Sequence, residues 1–349
     1  MQYKDTSLVV MLFILLSIGV FSCKNNTQNR SIEPAFYYWK SAYNTTNFEH
    51  QSLQQLNVKT ILIKYFDVDW DAASLQPIPV AKINFKQTPD SSIQVIPVVF
   101  ITNGCIQNIA ANQSSILANK IVQLIDAINA LQPQLKLANE IQIDCDWTAS
   151  TRERYFSLLQ QIKQQINGKQ LSVTIRLHQI KFIQNTGIPP ADKGLLMCYN
   201  MGNLKNPATE NSIIETDELK KYTGNLSAYP LPLDVAFPLF EWKVLFRQNT
   251  YKGLMEDLND AALNDTRYFK KIGNRYEVLQ DTVLAGYALQ KNDKIRDEKS
   301  GIETILSSAQ HLQSKLKNTP LRVCLYHLDS LTLSKYTSHE LETIFRSLQ

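Results

Sequence analysis

The stretch NEIQIDCDWTASTRERYFSLLQQIK, residues 139–163, passes from a β-prone run directly into a helical pattern. Its two acids, Asp144 and Asp146, stand two residues apart, and alternate side chains of a strand point to the same side. Both acids therefore belong to one polar face, with Gln142 and Thr148. The opposite face is apolar and consists of Ile141, Ile143, Cys145 and Trp147. Because an unpaired buried carboxylate is costly, we expect the polar face to be hydrated, ion-paired or turned into a site.

The same order of strand and helix recurs along the chain. Eight β-prone runs occur at residues 35–39, 60–66, 93–101, 140–144, 171–177, 194–199, 233–239 and 322–328. Helical patterns occupy residues 47–56, 114–131, 151–166, 216–222, 302–316 and 338–348. Strands that alternate with helices pair in parallel, and eight such units predict an α/β fold of the (β/α)8 TIM-barrel type. A doubly wound open sheet is the alternative, but no GxGxxG follows the first strand.

The segment between the seventh and eighth strands is too long for one helix. Within it, Gly273-Asn274 is a turn signal between two short β-prone arms. We therefore predict a small β-rich insertion at about residues 243–300, carried by a single barrel domain of residues 34–349.

The N-terminus has the pattern of an export signal. The apolar run at residues 8–21 is short for a membrane span, and it ends at Ser22-Cys23, a pair typical of a bacterial lipobox. We predict a signal peptide at 1–22, a lipid on Cys23 and a polar tether at 23–33. The protein would then be anchored in the bacterial cell envelope, either periplasmic or surface-exposed. An ordinary secretory signal with a chance cysteine is the alternative.

Composition narrows the possible partners. The formal net charge is +4, from 36 basic and 32 acidic residues, and no basic stripe with interleaved aromatics is visible. We therefore expect no nucleic-acid partner. The four cysteines beyond the tether lie far apart in the sequence, so we expect buried free thiols rather than a disulfide framework. We also expect a monomer without a cofactor or a metal.

Polar and aromatic residues collect where the predicted strands end, which is the active face of a TIM barrel. They include Trp39, Asp67, Asp69, Asn103, Asp144, Asp146, Arg176, His178, Tyr199, Asn200, Glu241, Trp242, His327 and Asp329. Any one of them has an ordinary structural explanation. Together, acids, an arginine, histidines and aromatic rings predict a site for a sugar or another small polar ligand.

Two of these strands carry a family resemblance. The sequence IQIDCDWT resembles the fourth-strand DxxDxDxE signature of glycoside hydrolase family 18, and LLMCYNMG is similar to its sixth-strand MxYD element. The resemblance covers the barrel order and the central strands, and it implies a TIM barrel that acts on glycans. Asp144 and Asp146 match the last two aspartates, Tyr199 matches the tyrosine, and Asn200 replaces the final aspartate. The general acid of the family falls at Thr148, whose hydroxyl cannot protonate a glycosidic oxygen at a useful pKa.

The sequence is compatible with hydrolase activity even though Thr148 replaces the general acid. Retaining glycosidases place two carboxyl groups about 5–5.5 Å apart, and Asp146 and Glu241 follow the fourth and seventh strands. In this hypothesis Asp146 is the acid/base and Glu241 the nucleophile, with Asp144 beside them. Arg176 and His178 would tune pKa values. The substrate would contact Trp39, Tyr199, Asn200, Trp242 and His327.

The alternative is a non-catalytic lipoprotein that binds a glycan or a protein. A binding protein needs no general acid, so this alternative explains why a threonine stands at position 148. A metal site at Asp67, Asp69 and Asp71 is a third, weaker hypothesis, since the loop lacks the glycine and the last acid of an EF-hand.

Overall fold

Eight parallel strands form a closed barrel in the computed structural model, which describes residues 30–255, 258 and 260–349. The strands are β1 (Ile32–Tyr38), β2 (Thr60–Asp71), β3 (Gln94–Ile101), β4 (Glu140–Asp144), β5 (Gln170–Arg176), β6 (Lys193–Met197), β7 (Leu233–Pro238) and β8 (Leu321–Tyr326). Each strand pairs with the next along the chain, and β8 pairs with β1 to close the ring. The predicted TIM barrel is confirmed. The predicted signal peptide and Cys23 lie outside the described residues.

Helices connect the strands on the outside of the barrel. Their bounds are Asn47–Gln55, Asn103–Asn108, Ser114–Ala130, Arg152–Gln165, Leu177–Lys181, Ile183–Thr186, Thr216–Tyr222, Ile302–Gln313, Ser330–Leu333 and Ser338–Arg346, with 3-10 turns at Ala111–Gln113, Leu226–Ala228 and Asp260–Leu263. Capping boxes start the first and last of the α-helices, at Thr46 with Glu49 and at Thr337 with Glu340. Within the described ranges, no helix is both long and apolar enough to cross a membrane.

The second strand continues beyond the barrel. Its last five residues pair in antiparallel fashion with a strand at Gln76–Val80, so β2 ends in a hairpin. A smaller parallel pair joins Ala42–Tyr43 to Asn84–Phe85. The sequence patterns did not predict the hairpin, because its outer strand contains two prolines, a residue type confined to edge strands.

The β-rich insertion between β7 and β8 is confirmed, and it begins at Glu241, two residues before the predicted position. Its five-stranded antiparallel sheet has the order Thr250–Met255, Glu241–Arg247, Lys294–Lys299, Arg275–Val278 and Phe269–Ile272. A separate hairpin pairs Thr282–Leu284 with Tyr287–Leu289. The sheet has its own hydrophobic cluster, which includes Leu245, Met255, Tyr276 and Ile295.

Charged side chains fill the N-terminal end of the barrel interior. Arg322 on β8 donates to Glu140 on β4 at 2.9 Å and to Glu33 on β1 at 3.1 Å. It also lies 3.7 Å from Asp234 on β7, whose carboxylate is 2.5 Å from the ammonium of Lys193 on β6. We call these five residues the lower charge network. It joins five strands, and the polar site lies at the opposite end of the barrel.

Candidate functional site

A cleft of about 1090 Å³ opens at the C-terminal ends of the strands, and the insertion contributes to its lining. Ten of the strand-end residues singled out from the sequence line it, namely Trp39, Asp144, Asp146, Arg176, Tyr199, Asn200, Glu241, Trp242, His327 and Asp329. Asp67, Asp69, Asn103 and His178 lie outside the lining, and Cys23 lies outside the described residues. Glu241 starts the first insertion strand and does not belong to β7. His178 is exposed on the helix Leu177–Lys181 and lies outside the lining, because that helix begins directly after β5.

One arginine joins Asp144, the last residue of β4, to Asp146 just beyond the strand. Asp144 is 2% exposed and accepts a hydrogen bond from Thr174 Oγ1 at 2.6 Å. Arg176 Nη2 lies 3.8 Å from Asp144 Oδ1, and Arg176 Nε donates to Asp146, whose side chain is half exposed. The polar face of β4 therefore points into the cleft, and its acids are ion-paired.

Burial and ionic interactions shift the pKa values of Asp144 and Arg176 in opposite directions. Burial raises the pKa of Asp144, and the positive charge of Arg176 only partly offsets that effect. Burial also disfavours the charged form of Arg176, but Asp144 and Asp146 hold its pKa above the ordinary value. Arg176 therefore stays charged at every physiological pH.

Glu241 is engaged by two lysines. Its Oε1 lies 2.7 Å from Lys335 Nζ and 3.5 Å from Lys243 Nζ. Lys243 is almost fully buried and also contacts Asp297 at 3.1 Å and Asp260. The sequence analysis missed both lysines. Lys243 stands two residues after Glu241 and so shares its strand face, but nothing local to the sequence indicates Lys335.

Thr148, at the position that the sequence resemblance assigns to a general acid, lies outside the cleft lining. Thr148 Oγ1 is 2.9 Å from Ser150 Oγ, and the Thr148 N–H donates to Thr151 Oγ1 at 2.9 Å. These bonds form the turn that precedes the helix Arg152–Gln165. Thr148 therefore stabilises the turn at the N-terminal end of this helix.

Aromatic rings form one wall of the cleft around Tyr326. Its ring centroid lies 5.8 Å from that of Trp39, 5.4 Å from that of Tyr199 and 5.8 Å from that of Phe240. Phe240 in turn lies 5.1 Å from Trp242. Neither Tyr326 nor Phe240 was singled out from the sequence, although each stands at or just beyond the end of its strand. Such a row of rings can stack on the apolar faces of sugars.

Two polar atoms of the cleft residues are buried without a hydrogen-bond partner. They are the hydroxyl of Tyr199 and Nδ1 of His327. Burial lowers the pKa of His327, so its ring is neutral at pH 7. Unpaired buried polar groups are costly, so these two atoms lower the stability of the fold around the cleft.

The acids of the β2 hairpin form hydrogen bonds and ion pairs with neighbouring groups of the protein. Asp67 lies 3.0 Å from Lys64 Nζ, Asp69 accepts from Thr102 Oγ1 at 2.8 Å, and Asp71 accepts from the backbone of Ala73 and Ser74. Among the described residues, no group of three or more histidines, cysteines or acids has the arrangement of a metal site. The hairpin acids therefore serve local structure.

Comparison with known proteins gives a structural likeness. Neither the protein-family models nor the curated protein sequences contain a match to this chain. The spore cortex-lytic enzyme SleL of Bacillus cereus superposes with a TM-score of 0.54 at 14% identity, over 92% of this chain and 75% of that one. SleL of Bacillus megaterium QM B1551 gives the same values. The C-terminal domain of a proposed chitinase from Desulfitobacterium hafniense DCB-2 gives 0.55 at 11% identity, over 92% and 100% of the chains. The chain therefore shares the TIM-barrel fold of these proteins over nearly all of its length.

Proposed function

We propose that this protein is a glycan-binding TIM-barrel lipoprotein of a bacterial cell envelope, whose cleft holds an oligosaccharide without cleaving it. The observation that carries the proposal is the state of the cleft acids. Among the described residues, each acid that lines the cleft is engaged by a cation: Asp144 and Asp146 by Arg176, Glu241 by Lys335, Asp260 by Lys299, and Asp329 by Lys40. Thr148 stands at the position that the resemblance assigns to the general acid, and a threonine hydroxyl cannot protonate a leaving glycosidic oxygen.

The chemistry of the walls supports a sugar as the ligand. Tyr326, Phe240 and Trp242 line the cleft with aromatic rings, while Asp146 and Asn200 offer exposed polar groups. Apolar rings with a few polar groups are the usual composition of a small-ligand site. The structurally similar proteins include a cortex-lytic enzyme and a proposed chitinase. These names favour β-linked glycans that contain N-acetylglucosamine.

The test is titration calorimetry of the full chain in detergent with the β-1,4-linked hexamer of N-acetylglucosamine. We expect binding without any release of new reducing ends. Trp242→Ala should weaken binding at least tenfold. Phe182→Ala is the matched control, because Phe182 is exposed outside the cleft lining, and it should bind as the wild type does. New reducing ends would contradict the binding-only proposal, and the absence of binding would contradict this class of glycan.

One observation favours hydrolysis as a second candidate: Asp146 and Glu241 line the same cleft. A carboxyl separation near 5 Å suits a retaining mechanism, and about 6.5–9.5 Å leaves room for an inverting water. If the wild type releases reducing ends, Asp146→Asn and Glu241→Gln should each abolish the release and leave binding intact. Activity that survives both substitutions would exclude this pair.

A further inference from the structure

Glu298 is a fully buried acid that directly contacts a cleft residue. It stands on the strand Lys294–Lys299, opposite Trp242 in the register of the insertion sheet. Its Oε2 accepts three hydrogen bonds, from Trp242 Nε1 at 2.7 Å, from the Ser212 N–H at 2.9 Å and from Ser212 Oγ at 2.5 Å. One carboxylate oxygen thus binds both the indole and the loop that follows β6.

A second buried charge holds Glu298 in place. Arg296 is also fully buried, and its Nε donates to Glu298 Oε1 at 2.5 Å. The remaining guanidinium donors reach the carbonyls of Asn206 at 2.7 Å and Leu204 at 2.9 Å. The pair therefore fastens the loop after β6 to the insertion sheet, directly behind Trp242.

A contribution to stability does not by itself explain the buried ion pair of Arg296 and Glu298. Removing two charges from water costs several kcal/mol, and apolar replacements of a buried pair are often neutral or stabilising. The arrangement does, however, fix the indole. Its N–H is bonded to Glu298, and its ring packs against Phe240 at 5.1 Å. A side chain that is ordered before binding loses less conformational entropy when the ligand arrives.

We propose that Glu298, held by Arg296, is a positioning residue that fixes Trp242 as a preformed platform for a sugar ring. This inference rests on the proposed glycan-binding function. Glu298 itself does not line the cleft, so it acts on the ligand only through the indole.

The first measurement follows the indole directly. The chain has four tryptophans, so a sample labelled with ¹⁵N-tryptophan gives four indole signals. The signal of Trp242 is the one that W242F removes. In E298Q it should move and exchange faster with water, while the other three stay in place. The double variant R296M/E298M, which leaves no buried charge unpaired, should show the same change if E298Q does not fold. An unmoved Trp242 signal in a folded variant would overturn the proposal.

The second measurement separates positioning from general destabilisation. In titrations with the N-acetylglucosamine hexamer, we expect R296M/E298M to weaken binding by up to about tenfold, because the ligand must then order the Trp242 side chain itself. In the W242F background, the same double substitution should cause no further loss. Equal losses in both backgrounds would show a merely structural role and overturn the proposal. If the wild type binds no hexamer, the proposed function fails, and the indole signal still decides whether Glu298 positions Trp242.

Discussion

Arg176 lies between Asp144, the last residue of β4, and Asp146, two positions further on; it donates through Nε to Asp146 and places Nη2 3.8 Å from Asp144 Oδ1. Its removal would leave Asp144 buried without a countercharge. We expect Arg176→Met to lower the free energy of unfolding by roughly 3–5 kcal/mol, the usual cost of breaking a buried pair. Urea denaturation measures this. Arg346→Met is the control, because Arg346 forms an exposed helical pair with Glu342 and should cost under about 0.5 kcal/mol. Equal effects would contradict the burial argument.

The pH dependence of stability reports on Asp144. Burial raises its pKa in the folded protein, so the folded state binds the proton more tightly than the unfolded chain does. The contribution of this group to stability is therefore greatest below the ordinary carboxyl pKa of about 4, and it falls as the pH rises through the raised value. Asp144→Asn cannot titrate. We expect its unfolding free energy to improve relative to the wild type as the pH rises through that window. A constant difference across a urea series at several pH values would show that Asp144 is not perturbed.

Restoring an acid at position 148 should not create a hydrolase. Thr148 is bonded within the turn before the helix Arg152–Gln165 and lies outside the cleft lining. We expect Thr148→Glu to release no reducing ends from the N-acetylglucosamine hexamer, as with its uncharged control Thr148→Gln. A reducing-end assay is sufficient. Turnover by the glutamate variant alone would mean that the cleft lacks only its proton donor.

The anchor is tested by fractionating cells that express the full chain. We expect Cys23→Ser to move the protein from the membrane pellet to the soluble fraction, because the thiol of Cys23 is the proposed site of the lipid. Asn25→Ser, in the same polar segment, should leave the protein in the pellet. Retention of the serine variant in membranes would refute the lipoprotein hypothesis.

Periodicity in the sequence predicted the barrel because each strand keeps its pattern without help from distant residues. The alternation in residues 140–148 also predicted that Asp144 and Asp146 share a face, and both line the cleft. Thr148 was predicted on the same face but lies outside the lining, because β4 ends at Asp144 and the chain turns before the next helix. His178 shows the limit of counting strand ends. Since a helix starts at Leu177, its side chain follows the helix and is exposed.

The charged partners of the cleft could not be predicted from local pattern. Lys335 reaches Glu241 across 94 positions of the sequence, and Glu298 reaches Trp242 across 56. Such pairs depend on how the insertion and the loops pack on the barrel. The strand-end acids and three of the six Phe, Tyr and Trp residues of the lining, namely Trp39, Tyr199 and Trp242, could be predicted from the sequence. The lysines that engage Glu241 could be found only in the structure.

The lower charge network also affects the order in which the chain can assemble. Arg322, the cation shared by Glu33, Glu140 and Asp234, belongs to the last strand of the barrel. Until β8 has been synthesised, those acids lack this partner, and β1 and β7 are open sheet edges. Open edges pair readily with other chains. The last thirty residues therefore close the barrel. A chain that ends before them exposes both the acids of the barrel interior and two unpaired strand edges.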